Sequence, residues 1–319
     1  MIKDPCKRKE FYQRQTKVLD KVTKKLEEIV NELDCESVKT LFAQVSGGKM
    51  LRPRLMLKIS QNERIFELAA IVEMIHIASL LHDDVIDASL LRRKKPTVNA
   101  TDGDKTAVML GDILYSKAFS KLVSFAPSIA YKISNAVTLL SLGELSDVEM
   151  SKTLNTDEYE NINMLYKKTG SLIEAAAVSA AMLEGIDYSG IEVYAKNMGV
   201  AFQIIDDILD ITADETTLGK KPFSDFAEGK TTVAYMHLYK NSDKITKEFL
   251  EGIYKKEIDE KEKARLMGEF DKYGSVKYSL TLAKSLTQTG LDALFKSDIS
   301  SELKDALAET AKNQLNRLF

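Results

Sequence analysis

The chain has 319 residues, 44% of them apolar and 29% charged, with a formal net charge of −3, the make-up of a globular protein with ample material for a core. That balance gives no sign of a general nucleic-acid binder, and two cysteines with three histidines furnish neither a disulfide framework nor a usual zinc cage. The N-terminus lacks the apolar stretch of a leader, and no charge-free apolar run approaches the roughly 18 residues of a membrane span, so the expectation is a cytoplasmic protein with no integral membrane segment. The long Pro-free runs 128–221 and 223–319 are dominated by Ala, Leu, Lys and Glu, which predicts an all-α fold in one large domain, 1–319.

In chain order, Leu19, Val22, Leu26, Ile29 and Leu33 recur at spacings of three and four, predicting an amphipathic helix over 8–34. Ser37 is expected to cap the next helix, which stops at Gly47-Gly48. The segment Gly47-Gly48-Lys49-Met50-Leu51-Arg52-Pro53-Arg54 lacks P-loop spacing. Its glycine pair permits a tight turn, and Lys49 and Arg52, three apart, suit an anion, although such a pair is commonly a solvated face. From about residue 63 to 87 the chain is apolar on nearly every side of a helix, the pattern of a central helix in a bundle.

That helix ends in Leu80-Leu-His-Asp83-Asp84-Val-Ile-Asp87, and Ile204-Ile-Asp206-Asp207-Ile-Leu-Asp210 is its near-copy. Residues four apart share a helix face, so Asp83 pairs with Asp87 and Asp206 with Asp210. His76 and Gln203, each seven residues before an aspartate, fall close to the same lines. Carboxylates among Leu, Ile and Val repel one another and are costly to bury unpaired. Oxygen donors without cysteine favour a hard ion such as Mg²⁺, which takes one or two carboxylates and completes its shell with phosphates.

Four cations, Arg92-Arg93-Lys94-Lys95, precede Pro96 and are placed to counter an anion shared with metals. Asp102-Gly103-Asp104 is expected to cap a helix over 105–123 carrying Gly111-Asp112, and Pro127 to open one to about 151 carrying Gly143-Glu144. Glycine inside a helix costs stability, so close packing or room for a ligand is expected there. Helices over 157–169 and 171–185 are predicted to meet at Lys167-Lys168-Thr169-Gly170, either with Gly170 past a helix C-terminus or with Lys168 and Thr169 on a phosphate. The second aspartate run lies in a helix over 191–213. A polar loop, 219–230, brings Lys220 and Lys230, and 231–319 reads as amphipathic helices with no signal beyond packing.

Two Asp-Asp-x-x-Asp helices, basic segments and apolar walls, with no candidate hydrolytic set, point to metal-assisted departure of a diphosphate from an apolar substrate. In register along nearly the whole chain, these motifs resemble the trans-isoprenyl diphosphate (polyprenyl) synthases. The resemblance implies an all-α bundle around a deep central cavity, with the two acidic runs facing each other across its mouth. It implies three Mg²⁺, two on Asp83 and Asp87 and one on Asp206, with Asp84, Asp207 and Asp210 in the same catalytic runs. Arg92, Lys168, Thr169, Gln203, Lys220 and Lys230 look like allylic-diphosphate contacts. Lys49, Arg52, His76 and Arg93 look like the isopentenyl-diphosphate site. Ala78 and Ser79, five and four residues before Asp83, occupy the family's chain-length positions. Both are small, which implies medium-to-long products rather than farnesyl diphosphate, with a shorter-chain farnesyl or geranylgeranyl diphosphate synthase as the alternative. Lys94 departs from the pattern, since the family usually has Gly there. The family is usually homodimeric. A class I terpene cyclase is a weaker match, because it normally has one Asp-rich run and no isopentenyl site.

Overall fold

Helix α4, Ile65–Ile86, carries the first acidic run. Every residue from Leu68 to Ile75 is buried, Glu73 included. Its length and hydropathy would let it cross a membrane, but 72% of its most apolar window is buried inside the protein, as in the core helix of a bundle. In this computed structural model residues 5–214 and 221–315 are described, 5–17 by their backbone alone. Lys220 lies outside the described residues.

The chain divides into two compact units, Met1–Ser134 with Ala176–Ile186, and Asn135–Ala175 with Asp187–Phe319. In the first, α1 (Pro5–Asn31), α2 (Glu36–Val45) and α3 (Leu51–Ile59) precede α4. The predicted seam of α1 is buried at Leu19, Val22, Leu26 and Ile29. A two-stranded antiparallel hairpin follows α4, β1 (Leu91–Arg92) with β2 (Lys95–Pro96), pairing Leu91 with Pro96 and Arg92 with Lys95. Then come α5 (Val98–Asp102) and α6 (Asp104–Leu122). The 176–186 segment is clasped by Glu184, whose Oε2 accepts from Ser60 Oγ at 2.8 Å and from the amides of Gln61 at 2.8 Å and Asn62 at 3.1 Å.

The second unit is built on α10, Ser189–Thr212, packed along the helix Ser275–Lys296. Gly290 lets the two approach, since a Cβ there would lie 3.1 Å from Tyr194 Cα. A second cluster gathers Ile211, Phe226, Tyr235, Leu250, Leu266 and Phe270, with the Phe226 and Tyr235 rings stacked at 4.0 Å. α7 (Pro127–Met150) and α9 (Ser171–Glu184) each contribute residues to both units, and α8 (Glu158–Leu165) belongs to the second.

Three local expectations are corrected. Ser37 lies within α2, whose N-cap is Cys35 without a side-chain bond, whereas α6 is capped within Asp102-Gly103-Asp104 as expected, by Gly103. Gly170 ends no helix. Tyr166–Gly170 is a π-helical turn joining α8 to α9 without a break, and α10 crosses it at Gly199, where a Cβ would fall 2.6 Å from Gly170 Cα. Lys49 precedes α3 behind the left-handed Met50 and does not share a turn with Arg52. Within the polar loop Ser224–Ala227 forms a short helix. The hairpin turn also survives without glycine, with Arg93 (φ 53°) and Lys94 (φ 65°) both left-handed, as a two-residue turn of this twist requires.

Candidate active site

In the first unit the acidic run divides by burial. Asp84 is 4% exposed, and the hairpin returns Arg92 onto it, Nε at 2.8 Å and Nη2 at 2.7 Å from Oδ1. Asp83 and Asp87 are half-buried on the adjacent face. Asn99 Nδ2 donates to Asp84 O at 3.2 Å and Ser89 O at 3.0 Å, fixing the chain where it leaves α4. Beside this run Gly111 makes room for the His82 ring, which stacks at a tilt on Tyr115, 5.6 Å between centroids. Burial, then the charges of Asp83 and Asp112, push the Tyr115 phenol up, so it stays protonated.

The expected isopentenyl cluster assembles in part. A Cβ on Gly48 would run into the Arg93 guanidinium, whose Nη1 donates to Gly47 O at 2.5 Å. Burial, then the charges of Arg52, Arg93 and Arg92, hold His76 well below the usual histidine value. The structure therefore gathers Arg52, His76 and Arg93 and leaves His76 neutral, a donor that adds no charge. Lys49 is exposed, and its carbonyl accepts from Arg54 Nε at 2.8 Å. Unforeseen from sequence is Glu73, a buried carboxylate whose charge supports that of Arg52 while Arg52 and Arg93 work against its desolvation. Neither Arg52 Nε nor Glu73 Oε2 has a hydrogen-bond partner. Its signal in the sequence is a lone acid within the apolar stretch Leu68–Ile75, three residues before His76.

In the second unit the other run divides similarly. Asp207 (8% exposed) and Asp210 (2%) are buried, while Asp206 is half-buried. Asp210 accepts from Ser224 Oγ at 2.9 Å and the Asp225 amide at 3.3 Å, which ties the short loop helix to α10. Burial and then Asp225 push the Asp207 carboxyl well up, against the Gln203 hydrogen bond. Thr169 Oγ1 donates to Gln203 Oε1 at 3.2 Å, and Gln203 Nε2 donates to Asp207 Oδ1 at 3.1 Å, so Thr169, Gln203 and Asp207 form one chain. Lys168 Nζ lies 2.6 Å from Asp147 and 2.9 Å from Glu144, and Lys230 Nζ 2.7 Å from Glu228.

Among the described residues no three His, Cys, Asp or Glu side chains converge closely enough to cage a metal alone. The all-oxygen donor set fits Mg²⁺ as one or two carboxylates supplemented by substrate phosphate and water. The least buried aspartates, Asp83, Asp87 and Asp206, are the three the resemblance implies as ligands. Ala78 is fully buried, and Ser79 spends its hydroxyl on its own helix, donating to His76 O at 2.8 Å.

Residues 36–269 match the sequence model of the polyprenyl synthetase family. The chain is 34% identical over 288 residues to geranylgeranyl diphosphate synthase of Sulfolobus acidocaldarius, covering 83% of this chain and 86% of that one. It is 31% identical over 289 residues to octaprenyl diphosphate synthase of Haemophilus influenzae, covering 86% and 85%. The crystal structure of octaprenyl pyrophosphate synthase from Helicobacter pylori superposes with a TM-score of 0.86 at 38% identity, over 93% of this chain and 98% of that one. With the all-α architecture and the paired acidic runs in register, these matches place the chain in the polyprenyl synthetase family, as a prenyltransferase.

Proposed function

We propose that the enzyme condenses isopentenyl diphosphate with an allylic diphosphate, in a Mg²⁺-dependent reaction, to a medium- or long-chain all-trans polyprenyl diphosphate. The observation that carries this reading is the division of the aspartates, with Asp84 and Asp207 held by Arg92 and Gln203 and Asp83, Asp87 and Asp206 less buried. Those three would hold the metal ions, which when bound neutralise charge developing on the departing diphosphate.

In the first unit Arg92 contacts the allylic diphosphate, while Arg52, His76 and Arg93, with Lys49, receive isopentenyl diphosphate. In the second, Lys168, Thr169, Gln203 and Lys230, with Lys220, bind the leaving group. The allylic C–O bond breaks, the isopentenyl double bond attacks the cation, and a proton passes to the departing diphosphate. Apolar walls keep water from the cation. Ala78 and Ser79 leave room for a growing chain. The relatives' names include both geranylgeranyl and octaprenyl products, so product length is the property to measure.

Incubation with isopentenyl diphosphate, farnesyl diphosphate and Mg²⁺, followed by sizing of the dephosphorylated alcohols, should show products of about six to ten isoprene units. A ladder ending at four units would instead make it a geranylgeranyl diphosphate synthase. Ala78→Phe should shorten the product, and unchanged length would remove the role given to that position.

A further inference from the structure

Lys168 stands on the π-helical turn Tyr166–Gly170, and α7 holds it by two means. Gly143 brings the α7 backbone so close that a Cβ there would collide with the Lys168 amide nitrogen. One residue on, Glu144 and then Asp147, three apart and so on one face, reach the Lys168 ammonium. Asp147 Oδ2 accepts a hydrogen bond at 2.6 Å. Glu144 Oε2 makes an ion pair at 2.9 Å, but neither Glu144 oxygen has a hydrogen-bond partner. Both side chains are nearly buried, at 10% and 9% exposure, against 22% for Lys168. Burial works against the charged ammonium, yet Asp147 and then Glu144 outweigh it and hold Lys168 above the ordinary lysine value.

A lysine on a free four-carbon stem loses rotamer entropy when it is fixed. Here two carboxylates have fixed it before any ligand arrives. An ammonium has three N–H donors, and Asp147 takes one, leaving donors for an anion on the less buried side. We propose that Asp147 and Glu144 are positioning residues that pre-align Lys168 for the allylic diphosphate, with Gly143 setting the separation. The inference rests on the proposed function, which gives Lys168 that contact. Two nearby carboxylates also repel an anion. If repulsion were their main effect, neutralising them would tighten substrate binding, so the two readings predict opposite signs.

The test is a double-mutant cycle on the full-length protein, with Asp147→Asn, Lys168→Ala and the pair assayed for kcat and for the allylic KM. Asp147→Asn should lower kcat about tenfold, Glu144→Gln should lower it less, and Asp147→Asn should cost nothing further in the Lys168→Ala background. Thermal melts of each variant separate misfolding from misalignment, and Glu144→Gln carries the test should Asp147→Asn fail to fold. A full tenfold loss persisting without Lys168, a lower allylic KM in Asp147→Asn, or wild-type kinetics in both single variants would overturn the proposal. Wild-type protein that fails to elongate an allylic primer would sink the underlying reading instead, and that arm is read first.

Discussion

At the scale of single residues, like side chains in like motifs have been given different work by their neighbours. Asp84 and Asp207 are second in their runs, and each is occupied by a hydrogen-bonding partner, Arg92 and Gln203. Asp83 and Asp206 are half-buried and are the proposed metal ligands, so Asp83→Ala and Asp206→Ala are expected to lower turnover a hundredfold or more while the melting temperature holds. Normal rates in both would show that neither carries a metal. The aspartates themselves were legible in sequence, because carboxylates at helical spacing among Leu, Ile and Val have no bland explanation. Their partners were less so. The Arg92 contact needs the hairpin to fold back on α4, and the Asp147 contact needs α7 against the π-helical turn, neither of which leaves a periodic trace. His76 lies on the predicted line with Asp83, but its neutrality follows from burial and three arginines. Its folded value is below its unfolded one, so the unfolded chain binds the extra proton as pH falls below about 6.5. His76 thus weakens the fold on acidification, and an NMR titration of its ring should show no protonation near pH 6.5.

At the scale of elements, boundaries set by apolar periodicity were largely readable and those set by backbone detail were not. α4 was expected over about 63–87 and runs Ile65–Ile86, and Pro127 opens α7 as expected. The π-helical turn has no sequence signature, because Lys-Lys-Thr-Gly looks like an ordinary helix end. Gly170 marks no stop, and α10 crosses its Cα at Gly199. That crossing predicts that Gly199→Ala, forced against Gly170 Cα, destabilises by about 1–3 kcal/mol as overpacking does. Gly268, inside the helix Glu260–Tyr273 with open space around it, should behave oppositely. Gly268→Ala is expected to gain about 1 kcal/mol from helix propensity, and chemical denaturation of the two variants compares them directly. In the hairpin, Lys94 holds a left-handed backbone that costs a residue with a Cβ about 1–2 kcal/mol. Lys94→Gly should therefore stabilise by up to about 1 kcal/mol, measured as a shift in the denaturation midpoint. The helix Lys244–Ile253 offers a pH test. Its N-cap Asp243 accepts the Thr246 amide at 2.9 Å, and that bond holds its carboxyl at about 2. The depressed value means the cap contributes fully above about pH 4 and is lost as pH falls through 2, so a carboxyl NMR titration should find its midpoint near 2.

At the scale of the whole molecule, the comparisons and the helical architecture agree on the family. The all-α class followed from a composition rich in Ala, Leu, Lys and Glu with very few prolines. The division into two units did not follow, since no Pro- or Gly-rich linker marks it and two of its three boundaries fall inside helices. One consequence concerns synthesis on the ribosome. The first unit borrows Ala176–Ile186 from beyond a stretch belonging to the second, and Ala176, Ala177, Val178, Ala180 and Ala181 are wholly buried. A nascent chain that has reached residue 134 therefore still lacks a strip of its own interior. It must wait with that groove uncovered until some fifty more residues emerge, which at about 5–20 residues per second takes several seconds.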